Sequence, residues 1–153
     1  MAINQDTPSV FGRSLEVKDG DLKMENGDFK IIRERNNFLQ ALSIMIETPY
    51  GTDIFNVNYG FDIINCISQP QGIRIVKELL RLNIVKTLTY DNRVTQIKEI
   101  VFDDEPRFFK LNPQADPEKC RQERKKSRRW KAIVLINTVT GKEETLSIEG
   151  VTL

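Results

Sequence analysis

Phe38, Ala41, Leu42 and Met45 recur at i, i+3, i+4 and i+7, the spacing that stacks side chains on one face of a helix, and Leu39 and Ile46 widen the stripe. Asn36 or Asn37 supplies a capping side chain at its start. Pro49 has no backbone donor and pushes Thr48 toward an extended conformation, so this helix is predicted to stop near Glu47. Gly51 then permits a sharp reversal. Helical spacing returns with Ile73, Val76, Leu80 and Ile84, supported by Leu79, Leu82 and Leu88. It predicts a second helix that begins at residues 70–73, from Pro70 onward, and runs to about Leu88.

Outside these two stretches the period is two. Leu22 and Met24 alternate with charged residues before Asn26-Gly27, and Phe29 and Ile31 alternate after it, which predicts a hairpin around the strongest short turn signal. Residues 94–102 read as a strand, and residues 130–137 as a more apolar one carrying Ile133, Val134, Leu135 and Ile136. Gly141 turns the chain, and Leu146 and Ile148 alternate with polar residues in a last strand. The order predicts an α+β domain: two main helices packed on one face of a mostly antiparallel β-sheet, with N-terminal and C-terminal hairpins.

Residues 1–14, with Pro8 and Gly12 but no periodicity, are expected to form a flexible arm that either frays or orders on a partner. Residues 15–153 are expected to form a single domain. Within it, residues 103–129 hold Pro106, Pro113, Pro117 and a dense charge run, and read as a polar insertion between two strands. At 153 residues and 39% hydrophobic content the chain can support one modest core. Its formal net charge of +1 hides an acidic stretch over residues 16–28 and a basic one over residues 119–131. Cys66 and Cys120 lack metal-ligand spacing, and the first residues lack a secretory pattern, which points to free thiols in a reducing cytoplasm. No apolar run approaches the roughly 20 residues of a membrane span. The chain has no histidine, which removes Ser-His and Cys-His nucleophile activation, histidine metal ligation and an imidazole proton shuttle.

The order of features over residues 15–102 carries a resemblance. An apolar helix leads to Thr48 and Gly51, a loop closes at Tyr59-Gly60, a long helix follows, and Asp91-Asn92-Arg93 precedes a strand. This resembles the baseplate wedge and sheath-initiator family of contractile phage tails, typified by a gene-25-product-like domain and shared with a type VI secretion baseplate subunit. In that family a Glu-Pro-Arg triplet precedes the strand. Asp91-Asn92-Arg93 stands in its place and keeps an acid and the arginine, whereas the literal Glu105-Pro106-Arg107 follows the strand. The resemblance implies a structural protein of the virion tail baseplate, synthesised in the bacterial host cytoplasm. Its partners would be baseplate wedge-core proteins, other baseplate subunits and the tail sheath protein, with no catalytic residue, cofactor or metal. Strand addition to an exposed sheet edge is the physical step it implies.

Candidate contact residues follow. Arg93 presents a planar five-donor guanidinium to a partner carboxylate or carbonyl row, unless it pairs internally with Asp91 or Glu99. The C-terminal strands offer Trp130, Ile133, Leu135, Leu146 and Ile148, which are otherwise internal sheet core. Arg124, Lys125 and Lys126 lie in the basic run, which reads first as a solvated loop, next as a docking arm for an acidic partner, and third as a nucleic-acid contact. Two other functions stay open. One is a lysozyme-like hydrolase using a carboxylate pair from Glu34, Glu47, Asp53 and Asp62; the other is a regulatory anti-adaptor of the same fold.

Overall fold

The computed structural model describes residues 9–67, 72–127 and 129–152. The chain divides into two compact units, Met1–Ile44 and Met45–Leu153. The class is α+β, as the periodicity predicts.

The first unit is built from six very short strands: β1 (Arg13–Leu15), β2 (Val17–Lys18), β3 (Asp21–Leu22), β4 (Met24–Glu25), β5 (Asp28–Phe29) and β6 (Ile31–Arg33). They pair antiparallel as β2 with β3, β4 with β5, and β1 with β6. The Asn26-Gly27 turn has φ of 54° and 83°, and Asp19-Gly20 has 55° and 83°, so both are two-residue turns with positive φ throughout. The Asp19-Gly20 hairpin is the element that alternation alone does not reveal. It exposes a seven-residue repeat in which Glu16, Lys23 and Lys30 occupy equivalent corners. Their backbones close a ring: Glu16 N donates to Lys30 O at 2.8 Å, Lys30 N to Lys23 O at 2.9 Å, and Lys23 N to Glu16 O at 2.9 Å. The Glu16 carboxylate lies 3.5 Å from Lys23 Nζ and 3.1 Å from Lys30 Nζ. The hydrogen bond from Lys30 is the main reason its pKa falls below the usual glutamate value.

Helix α1 spans Glu34–Glu47, so it stops where Pro49 requires. Its start differs from the expected asparagine cap. Glu34 itself turns the chain with φ of 54°, and its N–H donates to Gly12 O at 3.1 Å. Asn37 lies inside the helix, buried, donating to Phe11 O and accepting from Ser14 Oγ. One turn later, Gln40 accepts from Val17 N at 2.9 Å and donates to Leu15 O at 2.9 Å. These amides satisfy backbone groups where β1 gives way to β2. Residues 1–8 of the expected arm lie outside the described residues; Phe11 is buried and stacks on Phe38 with ring centroids 4.9 Å apart.

In the second unit a loop leads to α2 (Ile63–Ile67), α3 (Ile73–Leu88), β7 (Val94–Phe102), α4 (Pro106–Leu111), α5 (Pro117–Ser127), β8 (Arg129–Thr138) and β9 (Glu143–Thr152). Pro70, part of the expected start of the second helix, lies outside the described residues. Gly60 closes the loop. Its φ is 107°, Thr48 O accepts from Phe61 N at 2.8 Å, and a Cβ on Gly60 would come within 2.6 Å of Thr48 O. Helix α3 buries Val76, Leu80, Ile84 and Leu88 of the predicted stripe together with Thr87, whereas Ile73 and Leu82, counted in the same pattern, are exposed. Asn83 on α3 fastens α2 by donating to Asp62 O at 2.9 Å and to Cys66 Sγ at 3.0 Å.

Strands β7, β8 and β9 form one antiparallel sheet in that order, with β8 in the centre. Residues 103–129 lie between two strands, β7 and β8, and fold into α4 and α5, because Phe108, Phe109, Leu111, Ala115 and Cys120 give this charged stretch an apolar side. Phe108 packs in a cluster with Val101, Ile133 and Leu135. Phe102, which points to the other face of β7, lies under Lys77 and Arg81 of α3, 5.2 and 5.3 Å from its ring centroid. The sheet of this unit therefore has helices on both faces, where the sequence predicts one covered face.

Candidate protein-binding surfaces

The sheet has two ends, and they differ. Strand β7 is broken by register shifts between Val94 and Gln96 and between Ile97 and Glu99. Strand β9 keeps a continuous register from Glu143 opposite Asn137 to Ile148 opposite Ala132. A bulged strand twists away from pairing, whereas a regular one presents a straight row of donors and acceptors. Along β9, Glu144, Leu146 and Ile148 point inward and are buried, while Glu143, Thr145, Ser147 and Glu149 are exposed. Ser147 and Glu149 also line a cleft of about 320 Å³ together with Lys119, Cys120, Glu123 and Lys131. The C-terminal edge is thus a backbone template that is regular from Glu143 to Ile148, beside a polar cleft.

The apolar candidates on these strands face the core. Trp130, Ile133, Leu135, Leu146 and Ile148 have 3–8% of their surface exposed, so their side chains are packed as internal sheet core. The physical reason is position: β8 is the central strand, and the inward residues of β9 pack in register with it.

Arg93 and Asp91 form the internal pair. Arg93 Nε donates to Asp91 Oδ1 at 2.9 Å, Nη2 to Oδ2 at 2.6 Å, and the Arg93 backbone N–H to Oδ1 at 2.9 Å. Burial opposes the charge on Asp91, but these hydrogen bonds and the neighbouring guanidinium outweigh it and hold the carboxyl below its ordinary value. Arg93 O also accepts from Val139 N at 3.1 Å, which ties the corner after α3 to the turn between β8 and β9. Glu99, the other expected partner, pairs instead with Arg107 of the Glu105-Pro106-Arg107 triplet, which starts α4.

The basic run is a helix, not a loop, and its three singled-out cations are not equivalent. Arg124 turns inward to Asp103, 3.1 Å away and almost wholly buried. Burial pushes the Asp103 carboxyl up, and Arg124 offsets only part of that. Arg124 also lies 5.6 Å from the Trp130 ring centroid, and Lys77 approaches the same ring from α3 at 5.5 Å. Trp130 meets Phe102 edge to face, centroids 5.9 Å apart. Lys77 and Arg81 are anchored in turn by Glu105, and Lys77 also by Asp104. A pair of aromatic rings is therefore surrounded by three cations whose charges are met by carboxylates, an arrangement that fixes helices to the sheet. Lys125 and Lys126 are exposed.

Two of the carboxylates considered for hydrolysis, Asp53 and Asp62, have local partners. Asp53 accepts from Phe55 N at 2.8 Å and Asn56 N at 3.2 Å, and Asp62 accepts from Asn65 at the start of α2. Glu34 and Glu47 are the two end residues of α1. Both cysteines are buried free thiols raised above their usual pKa by burial. Among the described residues, no three Cys, Asp or Glu side chains are grouped to hold a metal ion, and no helix is long and apolar enough to cross a membrane.

Sequence periodicity missed the exposed apolar residues of the loop. Ile54 and Phe55 are 83% and 93% exposed on a loop held by the Asp53 turn and by Asn56 donating to Tyr90 Oη at 3.0 Å. The signal was two large apolar side chains among turn formers. Ile75 and Leu82, seven residues apart on the outer side of α3, are likewise exposed. Comparison with known protein families gives no match to a family model, and no curated protein matches the sequence.

Proposed function

We propose that the chain is a structural subunit of a contractile-tail baseplate, in a phage or a related injection machine, that attaches to the wedge core and initiates sheath assembly. The observation that carries the reading is the outer edge of β9 at the end of its sheet, regular in register from Glu143 to Ile148 before its bulge. An extended arm of a sheath subunit adds there as a further strand: backbone hydrogen bonds supply affinity, and the cleft beside Ser147 and Glu149 sets register by admitting a side chain. The succession of α1, the Thr48–Gly60 closure, α3, the Asp91–Arg93 corner and β7 follows the order of elements on which the family resemblance rests. The chain works by holding partners, in the virion baseplate, with the wedge and sheath proteins as its partners and no cofactor.

The test is electron imaging of particles from cells lacking the gene, against cells in which the gene or its Thr145→Lys/Ser147→Lys variant is restored. Baseplates without ordered sheath, both in the deletion and with the variant, are expected. Normal contractile tails in the deletion strain would overturn the proposal. Full sheath assembly with a folded double variant would remove β9 as the site.

A further inference from the structure

Among the described residues, the outer face of α5 has no charged partner. Arg124 and Glu123 of this helix are engaged by Asp103 and Lys131. Lys119, Arg121, Lys125 and Lys126 are exposed and make no ion pair among the described residues. Arg121 and Lys125 stand at i, i+4, a spacing at which like charges repel and weaken the helix. The helix therefore keeps a cationic face that its own unit does not neutralise.

The first unit shows the opposite imbalance. At its corners the one carboxylate of Glu16 is shared by Lys23 and Lys30. Its hairpin ends carry Asp19, Asp21, Glu25 and Asp28, all exposed, against the single exposed cation Lys18 opposite Asp21. Glu25 and Asp28 are directly opposite in the register of β4 and β5, a cross-strand position at which like charges repel. The same hairpins expose the pairs Val17 with Leu22 and Met24 with Phe29, between 38% and 61% exposed. Long cationic side chains suit such a surface, because their methylene stems cover apolar groups while their heads reach carboxylates.

We propose that the cationic face of α5 docks onto the acidic hairpin ends of a second copy of this chain. The two surfaces are different, so the contact is either exchanged reciprocally in a two-fold dimer or repeated head to tail as a ring or an open chain. The contact is electrostatic and weakens with salt. It requires nothing of the sheath-initiator reading: a chain with another role would associate in the same way.

Sedimentation velocity of the full chain tests it, with Asp21→Lys/Glu25→Lys as the acidic-side variant and Arg121→Glu/Lys125→Glu as the basic-side variant. These positions leave the positive-φ turn residues and the Asp103 pair untouched, and circular dichroism checks that both variants stay folded. In low salt the average mass of the native chain is expected to rise with concentration and to return to that of a single chain in high salt. Each variant alone is expected to lose association, and an equal mixture to regain it as hetero-oligomers. A native chain that stays single at every concentration would overturn the proposal. So would a folded variant that still associates alone, or a mixture that does not recover. Retention of duplex DNA by the native chain without self-association would assign the cationic face to nucleic acid instead.

Discussion

The Arg93 guanidinium and the Asp91 carboxylate close a two-point contact, at 2.9 and 2.6 Å, across the corner where α3 ends and β7 begins. The carboxylate side chain is 9% exposed and the arginine 26%. Removing the arginine leaves a nearly buried charge without its main donors, so Arg93→Ala is expected to cost about 1–3 kcal/mol in denaturant unfolding. A partner-contact residue would show no such loss.

The same pair sets an acid dependence. The folded carboxyl of Asp91 lies below its unfolded value, so its contribution to stability is present above the unfolded pKa and lost as pH falls through the folded one. Unfolding curves taken from neutral to acid pH are expected to show that loss in the native chain and a smaller acid dependence in Asp91→Asn.

Asp103 has the opposite sign. Burial raises its carboxyl even beside Arg124, so the stability linked to it is present below the unfolded pKa and declines as pH rises through the folded value. Arg124→Ala removes the compensating charge and is expected to cost about 3–5 kcal/mol, with a larger deficit at neutral than at acid pH. Lys125→Ala and Lys126→Ala, at exposed positions of the same helix, are expected to stay within about 0.5 kcal/mol. Thermal and denaturant melts across pH check both statements.

Gly60 and Gly27 both have positive φ, 107° and 83°, yet only Gly60 is crowded, with Thr48 O and Pro49 C within 2.6 and 2.9 Å of a built Cβ. Gly60→Ala therefore adds a clash to backbone strain and is expected to cost about 2–4 kcal/mol. Gly27→Ala, in open space, is expected to cost about 1–2 kcal/mol. Parallel unfolding measurements on the two variants separate the effects.

The closed ring of backbone hydrogen bonds through Glu16, Lys23 and Lys30 makes a kinetic prediction. Its three amides are each donated within the ring, and their opening requires neighbouring hairpins to part together. Amide exchange by NMR is expected to be slower at these positions than at Gly20 and Gly27 in the hairpin turns.

The sequence determined the elements whose signals are local. Apolar spacing set the bounds of α3 at Leu88 and of β7 at Val94 and Phe102, Pro49 ended α1, and Asn26-Gly27 made its hairpin. Tertiary structure decided everything that depends on which surfaces meet. The hairpin at Asp19-Gly20 has strands of two residues each, too short for alternation to register, and exists because three corners close one hydrogen-bonded ring. Helices α4 and α5 arise in a stretch whose composition reads as solvated, because a few apolar residues, Phe108 and Cys120 among them, find the far face of the sheet. Alternation marked β8 and β9 as strands but carried no information about their order. The order buries Trp130, Ile133 and Leu135 at the centre and leaves β9 as an edge. Charge showed the same limit: Arg124, Lys125 and Lys126 are neighbours in one basic run, and only the helix phase turns the first toward Asp103 and leaves the other two in solvent.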